Sequence, residues 1–154
     1  MNLTIRAVLS TDVNSLKKIL NTIELFPAEM LDEMIADYLT NPETEDIWFT
    51  AIHDEIPIAF GYAAPEMLTE GTYNLYAIGV TKALQGKGIG RQMIGYLEAY
   101  LKKQRHRILI VETSGGPDLA LTRKFYKQLN YTKEAVIRDF WSEGEDKVVY
   151  WKKI

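Results

Sequence analysis

Seven residues near the middle of this chain, Gln85-Gly86-Lys87-Gly88-Ile89-Gly90-Arg91, carry its clearest chemical signal. Glycines at alternate positions leave the main chain bare, so a ligand can approach the backbone with no side chain in the way. An amphipathic helical stretch follows, Met93 to Lys103, and its unpaired N–H groups and positive dipole end face whatever docks ahead of it. A phosphate or pyrophosphate is the natural guest. Two nucleotide motifs also place glycine-rich turns before a helix, and neither fits. The NTPase phosphate loop needs Gly-Lys followed by Ser or Thr, whereas Lys87 is followed by Gly88. The dinucleotide fingerprint needs a third glycine where Arg91 stands. What remains is Q-x-x-G-x-G, read as Gln85, Gly88 and Gly90.

A loop of this kind must be delivered by a strand, and the uncharged run Tyr73 to Val80 supplies one. Ile47 to Ile52 and Ile58 to Tyr62 flank a turn at residues 53–57, and Thr69-Glu70-Gly71 is a second turn, so three consecutive strands form a meander. Gly79, near the end of the third, marks a bulge or a close backbone approach. Upstream, Leu3, Ile5 and Ala7 alternate as a strand, and Ser10-Thr11-Asp12 offers caps to a helix with Val13, Leu16, Ile19 and Leu20 on one face. A second helix carries Met30, Leu31, Met34, Ile35 and Tyr38 between Phe26-Pro27 and Asn41-Pro42. Beyond the loop, Ile89, Met93, Ile94, Leu97, Tyr100 and Leu101 trace one helical stripe. The apolar run Ile108 to Val111 suits a central strand covered on both faces. Pro117-Asp118 opens a helix with Leu121, Phe125 and Leu129 on one face, and Asn130 suits the left-handed position after it. Thr132 to Phe140 and Lys147 to Trp151 read as a closing hairpin. The order is β-α-α-β-β-β-α-β-α-β-β, an α/β sandwich of helices on a mixed sheet.

At 154 residues and 47% hydrophobic content, one domain over 1–154 with a single core is expected. The absence of cysteine excludes disulfides, thiolate metal sites and a cysteine nucleophile, so no covalent intermediate on a protein sulfur is expected. His53 and His106 lie on separate elements without metal-ligand spacing, so no metal is expected. A net charge of −3 lacks the positive field that nucleic-acid binding uses, and no apolar run is long enough to span a bilayer or to serve as a secretory leader. A cytoplasmic protein is expected, with neither nucleic acid nor membrane as partner. Lys102, Lys103, Arg105, His106 and Arg107 follow the long helix, where cations complement its negative end.

Strand, Q-x-x-G-x-G loop, helix, strand, and then a helix carrying Phe125-Tyr126 together resemble the GNAT superfamily of N-acetyltransferases, by motif over about Thr72 to Tyr131 and by element order elsewhere. That resemblance implies a GNAT-like, mostly antiparallel mixed sheet flanked by helices. It also implies acetyl-CoA as acyl donor, its pyrophosphate gripped by Gln85, Gly86, Lys87, Gly88, Ile89, Gly90 and Arg91. By position from the loop, Ile78, Gly79 and Val80 would bind pantetheine and the thioester carbonyl where the fourth strand splays from the fifth at a bulge. Tyr126 matches the family tyrosine that faces the CoA sulfur. With reference pKa values of about 10 for a phenol and about 8.5 for a thiol, full proton transfer is uphill by about 2 kcal/mol, so hydrogen bonding or partial protonation is its expected role.

The base is less defined. The position of a glutamate that some relatives use on the fourth strand is Asn74, which cannot take a proton. Glu70 and Glu112 are the nearest carboxylates, and Tyr73 or Tyr76 could position a water instead. Leu119 and Asn130-Tyr131 depart from family residues around the fourth helix. Glu24, Phe26, Glu70 and Trp141 are candidates to line the acceptor site, where aromatic walls with carboxylates suit an ammonium group. The expected function is acetyl transfer to the amine of a small molecule, an amino acid or related compound. Protein N-acetylation and a non-catalytic acyl-CoA-binding regulatory module are the alternatives. Relatives are often dimers, so the resemblance also allows a homodimer.

Overall fold

The structure is a computed structural model and describes residues 1–154. Its elements run β1 (Thr4–Ala7), α1 (Val13–Leu20), α2 (Leu31–Thr40), β2 (Ile47–His53), β3 (Ile56–Pro65), β4 (Thr72–Val80), α3 (Ile89–Lys103), β5 (Ile108–Ser114), α4 (Ala120–Gln128), β6 (Thr132–Ser142) and β7 (Glu145–Lys153). This is the order read from the sequence, with short 3-10 turns added ahead of each helix. The seven strands form one sheet in the order β1-β2-β3-β4-β5-β7-β6. Every neighbouring pair is antiparallel except β4 and β5. No helix is long and apolar enough to cross a membrane.

Local chemistry explains the boundaries. Asp54 and Glu55 both adopt positive φ, 48° and 64°, the conformation of a two-residue hairpin turn that matches strand twist, so β2 and β3 run closer together than composition suggested. Asn130 takes φ 67° after α4, as its short polar side chain permits. Asp12 does not cap α1 through its side chain. Its carboxylate instead accepts Arg6 Nη1 and Nη2 at 2.7 and 3.1 Å and the Leu9 N–H at 2.7 Å, which ties β1 to the turn ahead of α1.

Two apolar layers sandwich the sheet. On one face α3 buries Ile89, Met93, Ile94, Leu97 and Leu101 against Phe49, Leu75, Leu109 and Val111. On the other, Leu16, Ile19, Leu20, Leu31 and Ile35 of α1 and α2 cover Trp48, Phe60 and Ala77. Each fully buried side chain of this size contributes roughly 1.5–3 kcal/mol, so packing rather than intrinsic propensity holds the helices. Three expectations need correction. Tyr100 lies at the margin of the α3 stripe, 40% exposed. On α4 the buried residue is Tyr126, while Leu121 is 81% exposed. In β5 the pattern alternates, with Leu109 and Val111 buried but Ile110 and Glu112 only half-buried, because α1 and α2 pack over β2, β3 and β4 and leave that face of β5 uncovered.

The feature that positions the site is a fork. β4 pairs with β5 only from Thr72↔Ile108 to Leu75↔Val111. At that point the β3–β4 register slips, Leu75 facing Ala63 and Ala77 facing Tyr62, so Tyr76 is the extra residue of a bulge. From Tyr76 to Val80, β4 bonds to β3 alone and its other edge is open. The bulge therefore sits three residues before Gly79, which pairs regularly with Phe60. Gly79 has a different reason to lack a side chain: an added Cβ would lie 2.6 Å from Ile23 Cδ1 in the α1–α2 connection.

Candidate active site

Beyond the fork, β4 ends at Val80 and the chain turns through residues 81–88 into α3. Gln85 Nε2 donates to Val80 O at 3.1 Å, closing this turn on the strand end. Thr22 Oγ1 accepts the Lys82 N–H at 3.1 Å and so fastens the α1–α2 connection to the same turn. Gly86 and Gly88 take φ 75° and 79°, a left-handed region that costs an ordinary L-residue about 1–2 kcal/mol. Neither is crowded, so conformation rather than space requires glycine there.

The consequence is a run of free donors. The first backbone N–H of α3 to find a carbonyl is that of Gln92, bonded to Gly88 O at 3.2 Å, and the six N–H groups of residues 86–91 donate to nothing in the protein. At a helix N-terminus such groups form an anion site. They open on a cleft of about 570 Å³ between the end of β4, the loop, α4 and the α1–α2 connection. Ile78, Gly79, Val80, Gln85, Gly86, Gly88, Ile89, Gly90 and Arg91 all line it, and Lys87 is the one member of the expected set that does not. Tyr126 forms part of the same wall.

The sequence profile of the Acetyltransferase (GNAT) family matches residues 13–131. The chain belongs to this family. Its enzymes are N-acetyltransferases that use acetyl-CoA, and the free amides and the cleft fit the diphosphate and extended arm of that donor. Over 99% of both chains this acetyltransferase is similar to a solved structure assigned to the GNAT family from Desulfovibrio desulfuricans, at 27% identity and a TM-score of 0.92. The ribosomal-protein-S18-alanine N-acetyltransferase of Escherichia coli shares the fold at 19% identity and a TM-score of 0.81, covering 99% of this chain and 94% of that one. An aminoglycoside 6'-N-acetyltransferase complexed with coenzyme A does so at 17% and 0.78, covering 97% and 96%. No curated protein matches significantly.

In this acetyltransferase Tyr126 is held from three sides. Its ring stacks on Tyr150 of β7 and meets Phe125 and Tyr131 edge-on. Arg123, one turn earlier, donates to the carbonyls of Ser114 and Gly116 at 2.9 and 2.7 Å, which fixes the start of α4 against the end of β5. At the other end Tyr131 OH and Lys152 Nζ both bond Glu98 of α3. Burial pushes the Tyr126 phenol above its ordinary pKa, so it remains a neutral donor throughout the working range.

The other expected residues separate. Glu24 lines the cleft. Phe26 lies beside it, edge-on to Phe60 at 6.3 Å, as a partner of the α1–α2 core layer. Trp141, 46% exposed on β6, donates its Nε1 to Thr113 O at 3.4 Å across the uncovered face of β5. Glu112 stands just past the fork, its Oε2 paired with Lys147 Nζ at 3.0 Å. Glu70 is not brought to the site. It is exposed in the turn before β4, is absent from the cleft lining, and its carbonyl accepts Arg107 Nε. Glu66 is not singled out in the sequence, where it follows the apolar run of the second hairpin strand, and Lys147 reads only as part of the closing hairpin. Only the pairing of β3 with β4 and of β5 with β7 reveals their convergence.

Proposed function

We propose that this enzyme transfers acetyl directly from acetyl-CoA to the amine of a small molecule. The observation that carries the reading is the run of six unbonded N–H groups at residues 86–91, on residues that all line the cleft walled by Tyr126 except Lys87. Those amides would hold the diphosphate, and the open edge of Ile78, Gly79 and Val80 would bind the pantetheine arm and the thioester carbonyl. The bound donor supplies an activated acetyl group. Tyr126 donates a hydrogen bond toward the sulfur as the C–S bond weakens, and its raised pKa makes it a stabiliser of the thiolate rather than a full proton donor.

Support for a small acceptor comes from the α1–α2 connection, where Ile23, Glu24 and Leu25 line the cleft and place a carboxylate beside apolar side chains. An amino acid or related compound is the substrate class we favour. The test is a thiol-release assay with acetyl-CoA across a panel of amines, amino acids and N-terminal peptides. Turnover confined to small amines supports the proposal, whereas turnover of peptides alone assigns the site to proteins. Tight CoA binding with no turnover of any amine assigns it to a non-catalytic acyl-CoA module.

A further inference from the structure

A polar cluster that neither the loop nor Tyr126 uses converges where β4 and β5 part. We propose that Glu66 is the ammonium anchor and proton acceptor of the reaction, so that the acceptor arrives as a cationic primary or secondary amine and is deprotonated in place. This rests on the acetyl-transfer reading above and assigns the base that the Asn74 substitution left open.

Asn74, only 1% exposed, donates its amide hydrogens to two carboxylates, Glu66 Oε1 at 2.8 Å and Glu112 Oε1 at 3.1 Å. Its own Oδ1 is buried without a partner. An orphaned buried acceptor costs about 1–3 kcal/mol, and such groups call for a functional explanation or an ordered guest. Tyr76, the bulge residue, adds a third donor: its hydroxyl bonds the same Glu66 Oε1 at 3.0 Å. Glu66 Oε1 is thereby occupied twice, while Oε2 receives no donor from the protein. The Glu66 backbone is fixed as well, its N–H bonded to Thr72 O and its carbonyl accepting Thr69 Oγ1, both at 2.8 Å.

Charge distinguishes the two carboxylates. Glu112 is neutralised by Lys147, whose ammonium also sits 4.1 Å over the Phe140 ring. Glu66 has no cationic partner. Two negative charges and one positive leave the cluster one negative charge in excess, the complement of a single substrate ammonium. The groups that bear on Glu66 are Asn74 and Tyr76 of β4, Glu112 of β5, Lys147 of β7 and, through the ring stack at 5.6 Å, Tyr62 of β3. Tyr76 is pushed up to about 12, first by burial and then by its bond to Glu66, so it serves as a donor and not as the base. Its ring is half exposed and with Tyr62 forms an aromatic wall suited to a cation.

In the balanced step, Glu66 Oε2 takes one proton from the ammonium and frees the nitrogen lone pair. The nitrogen bonds the acetyl carbon as the C–S bond breaks, a second nitrogen proton ends on the departing sulfur, and Glu66 returns its proton to solvent.

The test compares pH profiles of kcat/KM for the wild type, Glu66→Gln and Glu112→Gln, with Glu55→Gln in the β2–β3 turn as an unaffected control. Glu66→Gln is expected to lose roughly 10²- to 10³-fold at neutral pH. It should recover toward wild type as the pH approaches the pKa of the amine, with CoA affinity and melting temperature unchanged. Glu112→Gln should keep the shape of the wild-type profile. A wild-type profile in Glu66→Gln, or the altered profile appearing in Glu112→Gln instead, overturns the assignment while leaving acetyl transfer intact. Absence of thiol release from the wild type with every amine overturns both.

Discussion

The Tyr126 ring stacks on Tyr150 with centroids 5.8 Å apart and planes 28° from parallel, so the phenol at the cleft is carried by β7 as well as by α4. Tyr126→Phe keeps this stack and removes only the hydroxyl. Turnover is expected to fall roughly ten- to a thousand-fold with little change in CoA affinity, as measured by thiol release and calorimetry. Equal turnover in the variant would remove Tyr126 from the chemistry.

Gly88 precedes α3 at φ 79° with open space around it, so a side chain there meets strain but no collision. Gly88→Val is expected to cost about 1–2 kcal/mol of stability and to raise the KM for acetyl-CoA at least tenfold, because the N–H groups rotate out of register. Thermal melts and initial rates check the two effects separately. A loss of stability with an unchanged KM would argue that these amides do not hold the donor.

Ile23 fills the space that the missing Gly79 side chain leaves. The contact is with the flexible end of a side chain that can turn aside, so Gly79→Ala should destabilise by no more than about 1 kcal/mol, and Ile23→Ala in the same chain should remove that increment. A double-mutant cycle by chemical denaturation reads the coupling. Strict additivity would mean that the α1–α2 connection is not braced on β4.

Arg6 and Asp12 give a pH-dependent contribution. The Arg6 hydrogen bond, opposed by burial and aided by the Leu9 N–H, holds the Asp12 carboxyl below its ordinary pKa. A carboxyl depressed in the folded state stabilises fully above its unfolded value of about 3.9, and this contribution is lost as pH falls through the folded value. Asp12→Asn is expected to lower stability by about 1–3 kcal/mol at pH 7 and by progressively less below about pH 4. A difference that grows in acid would contradict this.

The glycine loop and the helix after it were legible because their signals are local: alternate glycines set the turn and a 3.6-residue stripe sets the helix. The meander was legible for the same reason. Less visible was anything that depends on register. Gly79 reads as a bulge or a close approach, and the structure has it closely packed by Ile23 but not bulged. The bulge falls on Tyr76, where the pairing of β4 with β5 ends after Leu75. The α4 face was misjudged toward Leu121, since apolarity alone does not say that Tyr126 turns inward to meet Tyr150. Glu66 and Lys147 lie 81 positions apart, and long-range pairing alone brings their strands to one fork.

An unbonded strand border usually invites another sheet to add on, which is why proteins blunt or cover it. Here the bare border of residues 76–80 is recessed inside the sheet, between two strands that have already diverged. On the proposed reading, an amide-bearing chain entering there would find unpaired main-chain groups of β4 to bond, as a neighbouring strand would. The same gap that leaves the sheet incomplete would then let main chain, before any side chain, greet the visitor.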